Sequence, residues 1–135
     1  MDDAVAERLG CDAVQAEAVT FAVFQGLRDR LTPKEADDVA AQLPSTLKTL
    51  WEEGDRPDRE VARTHLRDFL GQVRRQVALL DDAAAERAVR AVFGVLQELL
   101  GSRRGLEGEA WDVFSQLPKD LKELWLAAAS TPRAR

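Results

Sequence analysis

Thiol and imidazole are nearly missing from this chain: Cys11 is the only cysteine and His65 the only histidine among 135 residues. That excludes an intrachain disulfide framework and a zinc site of four His or Cys ligands drawn from one chain. No run approaches the ~18 consecutive apolar residues that a membrane-spanning helix needs. No stretch alternates apolar and polar residues with period two for more than a few positions, so strand signals are lacking. Neither G-x-x-x-x-G-K-[ST] nor G-x-G-x-x-G occurs, and phosphate-cradling loops of those kinds have no support. The Glu-x-x-His pair of four-helix di-iron proteins is absent as well. Ile, Asn and Tyr do not occur at all, and Arg outnumbers Lys 15 to 4. Those depleted residues have AT-rich codons, so a GC-rich genome accounts for the bias.

What remains has the make-up of a folded protein, with 45% apolar and 32% charged residues and a net charge of −5. The acidic balance disfavours nucleic acid as a partner. The opening Met-Asp-Asp-Ala lacks the positive charge and apolar core of a signal peptide, and a lone thiol suits a reducing compartment, so a cytoplasmic setting is expected. Charge is uneven along the chain: residues 1–68 carry net −6 and residues 69–135 net +1. Two ordinary solvated surfaces explain that better than a head-to-tail contact between copies.

The chain repeats itself. Residues 42–51 and 116–125 both read Q-L-P-x-x-L-K-x-L-W at an offset of 74, and Ala22-Val23-Phe24 with Leu27 match Ala91-Val92-Phe93 with Leu96 at an offset of 69. The five-residue difference is an insertion in the second copy, at the glycine-bearing stretch 101–108. Apolar residues recur at helical spacing: Val89, Val92, Phe93, Leu96, Leu99 and Leu100 in one segment, Leu66, Phe69, Leu70, Val73 and Val77 in another. Asp12 with Gln15, and Thr32 with Glu35, have capping-box spacing, and Pro33 sits at a first-turn position. Pro44 and Pro118 mark corners, and Gly54 and Gly101 mark stops. Helices are expected at about 2–10, 12–31, 33–42, 44–53, 59–78, 82–100, 107–116 and 118–128. The expected architecture is an all-α helical bundle of two tandem four-helix pseudo-repeats, about 2–54 and 59–129. Residues 55–58 join them, and 130–135 form a frayed tail. A half of ~65 residues is marginal alone, so the two should share one core as a single domain spanning 1–129.

On these residues the chain resembles a family of bacterial proteins grouped as domain of unknown function 2267. The motif positions read Leu27-Arg28-Asp29-Arg30-Leu31, then Glu35-Ala36-Asp37-Asp38-Val39-Ala40-Ala41-Gln42-Leu43-Pro44, then Leu47-Lys48-Thr49-Leu50-Trp51-Glu52-Glu53-Gly54. Glu109-Ala110 and Gln116-Leu117-Pro118 give a weaker echo, and Phe69 stands at the family's position for a buried aromatic. The resemblance covers nearly the whole chain and implies an all-helical fold. It implies no established activity, so no catalytic or binding residue is carried over from it. The stretch 101–108 departs from the pattern.

Residues capable of chemistry are sparse. His65 is expected to pair with Asp68 on a helix surface, and Cys11 to be a small, partly buried thiol. Asp37-Asp38 and Asp81-Asp82 suit helix N-terminal turns better than a shared proton. Glu52-Glu53 fall near a helix C-terminus. Arg63, Arg67, Arg74 and Arg75 give a basic strip that reads as a solvated face. Arg103 and Arg104 are the best anion-site candidates, on a loop that enters a helix. Trp51 and Trp125 are equivalent and read chiefly as repeat-end packing. Trp111 faces Asp37 across the repeat; covering by the inserted loop or the core is expected. Left uncovered, it would form a helix-binding surface with Val113, Phe114 and Leu117. No catalytic residue, cofactor or metal is expected. The leading reading is a non-enzymatic interaction or scaffold module that binds another protein or itself through Trp111, Phe114 or Trp125. A small-ligand or anion sensor using Arg103 and Arg104 is the alternative, and an enzyme of unrecognised type, with a polar pocket around His65 or clustered carboxylates, is the third reading.

Overall fold

Helix ends fall where the side chains can satisfy them. The computed structural model describes residues 2–53, 65–78, 81–100 and 108–129. Every regular element there is an α-helix: α1 Asp2–Leu9, α2 Ala13–Asp29, α3 Pro33–Gln42, α4 Ser45–Glu52, α5 Leu66–Val77, α6 Asp82–Leu99, α7 Glu109–Ser115 and α8 Lys119–Ala129. Free N–H groups at three starts find the side-chain oxygens placed for them. Asp12 accepts from Gln15 N–H at 2.7 Å, Thr32 from Glu35 N–H at 3.2 Å and Asp81 from Ala84 N–H at 2.8 Å. Each such cap is worth about 1 kcal/mol. At the α3–α4 corner Leu43 is extended, as the ring of the following Pro44 requires. No described helix is long and apolar enough to cross a membrane.

One expected helix is shorter than its sequence suggested. The spacing predicts one helix over 59–78, but His65 is extended and α5 begins at Leu66. The cause is tertiary: Asp120, at the start of α8, accepts the Leu66 N–H at 3.0 Å and so caps α5 from outside its own segment. Residues 54–64 and 101–107, with the linker 55–58, the stops Gly54 and Gly101, and the tail from 130 on, lie outside the described residues.

The two longest helices form the centre. α2 packs against α1, α4, α5 and α6, and α6 against α1, α2, α5 and α8; α3 touches α4 and α7, and α7 touches α8. Their buried side chains form one contiguous apolar cluster to which all eight helices contribute. Gly26 makes the α2–α5 crossing tight, because a Cβ there would stand 3.1 Å from the Phe69 ring.

Each central helix is tied to a buried tryptophan. Phe24 of α2 meets Trp51 of α4 edge-on, ring centroids 5.1 Å apart, and Trp51 Nε1–H donates to the Ala36 carbonyl at 2.9 Å. The buried guanidinium of Arg28 donates to the carbonyls of Trp51 and Glu53, so a cation from inside the fold meets the negative end of α4. In α6, Phe93 lies 5.0 Å from the Trp125 ring, and Gln97 Nε2–H donates to the Trp125 carbonyl at 2.9 Å.

Candidate functional site

Two places gather more than packing residues. The first is a charged junction where the C-terminal end of α2 meets the N-terminal ends of α5 and α8. Arg30 is buried there, its guanidinium donates to the Gly26 carbonyl at 2.8 Å, and it lies 4.7 Å from the centre of the Phe69 ring. Burial lowers the Arg30 pKa, opposed by the carboxylates of Asp29, Asp68 and Asp120. His65 does not pair with Asp68 as expected; its Nδ1 lies 3.5 Å from Asp120 Oδ1. Asp120 also accepts from the Leu121 N–H at 2.8 Å, so its two oxygens bind backbone N–H groups at the starts of α5 and α8. The whole arrangement closes helix ends. Among the described residues no three His, Cys, Asp or Glu side chains are grouped to hold a metal ion.

The second place is the outer face of α7 and α8. Trp111 is 50% exposed, against the expectation that loop or core would cover it. Seven residues of helix cannot turn a side chain at this position inward while Ala110 and Val113, its neighbours in the turn, occupy the core. The indole rests on Phe114, ring centroids 5.6 Å apart and tilted by 32°, and Lys122 Nζ of α8 sits 5.4 Å from the Phe114 ring centre. One turn beyond Lys122 on the same face, Leu126 is 39% exposed. Val14, at the start of α2, is the third large apolar side chain left exposed among the described residues.

The structure sorts the other candidates. Trp125 is fully buried against Phe93, so it is not part of any outer surface; likewise Val113 and Leu117 face the core. Phe114 is half-buried and supports Trp111. Arg103 and Arg104 lie outside the described residues, as does Arg63. Arg74 is paired with Asp82 at 2.9 Å, while Arg67 and Arg75 are exposed. Asp37 and Asp38 are exposed in the second turn of α3 rather than its first, and Asp81 is the α6 cap. Cys11 is half-buried between α1 and α2, free of any disulfide. Sequence reasoning missed the inner role of Arg28 and the exposure of Leu126. The first had a signal: at the sequence offset of 69, Arg28 aligns with Gln97, and both interrupt apolar bands.

An all-helical fold closed around a single apolar cluster, with one aromatic face on a short helix, defines a class of helical protein without naming a reaction. The family model described as "Uncharacterized conserved protein (DUF2267)" matches residues 3–124, and the chain belongs to that family. No curated protein matches the chain.

Proposed function

We propose that this chain is a non-enzymatic interaction module that binds protein through the α7–α8 face bearing Trp111, Phe114 and Leu126. We read the fold as two tandem four-helix pseudo-repeats packed as one domain, with α1 to α4 equivalent to α5 to α8. In support, exchanging the two sets of helices returns the same close helix packings: α1–α2 becomes α5–α6, α2–α4 becomes α6–α8, α3–α4 becomes α7–α8, and α2–α5 becomes α6–α1. Arg28 on the Trp51 carbonyl and Gln97 on the Trp125 carbonyl are likewise exchanged. A cytoplasmic setting suits the lone thiol of Cys11.

The observation that carries the reading is an internal comparison. At the offset of 74, Trp111, Phe114 and Leu126 stand where the first half has Asp37, Ala40 and Glu52. Around them the match is close, Glu-Ala-x-Asp-Val-x-x-Gln-Leu-Pro in both halves, with Lys122 opposite Lys48. At the two exposed positions, 111 and 126, the matching stretch has exposed Asp37 and Glu52, whereas Ala40, opposite Phe114, is buried. Trp111 and Leu126 are thus large apolar side chains at positions where the matching stretch keeps exposed carboxylates, while Phe114 packs partly against the core. Half-exposed Trp is the kind of residue that dominates binding when it becomes covered.

A photo-crosslinking amino acid placed at position 111 of the full chain tests this in cells, with the same residue at the equivalent exposed position 37 as the control. Position 111 should capture a discrete protein, either another copy or a different chain, and position 37 should not. Equal capture at the two positions, or none at 111, overturns the reading.

A further inference from the structure

The helices that open the two halves are held differently. α5 has 12 residues, buries Phe69, Leu70 and Val73, and has its first N–H held by Asp120 of α8. α1 has 8 residues. Of its residues 5–9, Val5 alone is fully buried; Ala6, Arg8 and Leu9 are half-buried and Glu7 is exposed. Two turns of helix do not persist alone in water, so α1 is helical because it lies on α2 and α6. Among the described side chains of α1, Arg8 makes the polar tie to α6. Its guanidinium donates to the Glu98 carboxylate at 2.7 Å and to the Ala91 carbonyl at 3.4 Å. Gly94, one turn from each, admits it, since a Cβ there would stand 3.2 Å from an Arg8 nitrogen.

The joint between α1 and α2 closes each helix separately. The Gly10 and Cys11 N–H groups both donate to the Ala6 carbonyl, at 2.8 and 3.1 Å, so α1 finishes its own end. Asp12 caps α2 from within that helix's own segment. Gly10 has φ +67°, and no atom lies within 4 Å of where its Cβ would stand. We propose that α1 is a strap, which lifts from α2 and α6 as one unit about Gly10 while α2 to α8 stay folded, with Arg8 as its catch. When it lifts, α2 keeps its packing on α4, α5 and α6, and α6 keeps α2, α5 and α8. The closed strap covers one flank of the two central helices; lifting it opens the apolar cluster on that flank alone. The lifted form is a minor excursion of the folded chain, separate from global unfolding and from the α7–α8 face.

Amide hydrogen exchange of the purified full chain, read residue by residue by NMR, tests this. Glu7, Arg8, Leu9 and Gly10 should share one degree of protection, at least ~100-fold below that of the slowest amides of α2 and α6. In sub-denaturing urea the α2 and α6 amides should speed up steeply and those of α1 little, because lifting a short helix exposes far less surface than unfolding does. Val39→Ala removes buried methyl groups from α3, which packs on α4 and α7. It should speed α2 and α6 exchange at least ~5-fold and leave α1 exchange unchanged. Arg8→Gln should speed α1 exchange about 3- to 10-fold. Protection that falls off step by step from Gly10 to Glu7 is ordinary end fraying and overturns the strap. So does α1 exchange that follows α2 and α6, either in urea or in Val39→Ala. Unchanged α1 exchange in Arg8→Gln overturns the catch.

Discussion

Arg28 and Gln97 do one job with different chemistry. Each reaches from a central helix to the carbonyl of a buried tryptophan, and neither can be satisfied by water where it lies. The guanidinium does more, since it also binds the Glu53 carbonyl at 3.1 Å and brings positive charge to the end of α4. Removing it strands acceptors that were bonded to a cation. Arg28→Ala should therefore lower unfolding free energy by about 2–3 kcal/mol, measured by urea denaturation. Arg28→Gln, the residue type that Gln97 supplies at the Trp125 carbonyl, should cost less than half as much. Equal losses would mean that cavity formation, not the carbonyl contacts, sets the value.

At the level of the element, α5 shows what the chain writes locally and what it does not. Its C-terminal cap, Ala78, is left-handed with φ +56°, a conformation that costs an alanine about 1 kcal/mol relative to glycine. Ala78 is exposed, so Ala78→Gly should raise stability by up to about 1 kcal/mol, read as a shift in urea midpoint; a decrease would show that chain entropy outweighs relief of the backbone. The start of the same helix was not legible in advance. Residues 59–63 are good helix formers and nothing local marks His65 as a break; the cap that makes it one is Asp120, 54 positions from Leu66. Caps that lie within their own segment, at Asp12, Thr32 and Asp81, were all legible or consistent with the sequence. The exposure of Trp111 is hidden from the sequence for a related reason. Spacing reports which residues share a face, but not whether another element lies over that face, and here none of the described helices does.

For the whole molecule the decisive fact is that the apolar cluster does not divide between the first four helices and the last four. Phe69 of α5 lies between the halves: its ring faces Gly26 of α2 on one side and Phe93 of α6 on the other, with ring centroids 6.1 Å apart in the second pair, and Arg30 of α2 lies over it. A half cut free would expose α2 or α6, the two helices with the largest buried faces. Neither half can then melt without withdrawing the surface on which the other depends. Unfolding should follow one transition, with far-ultraviolet circular dichroism and tryptophan fluorescence giving coincident urea curves, although Trp51 reports on the first half and Trp111 and Trp125 on the second. Phe69→Leu should lower stability by about 1–2 kcal/mol and move both curves together. If the change instead separates them into an early and a late step, the halves are independently stable units and the shared core is only a contact between them.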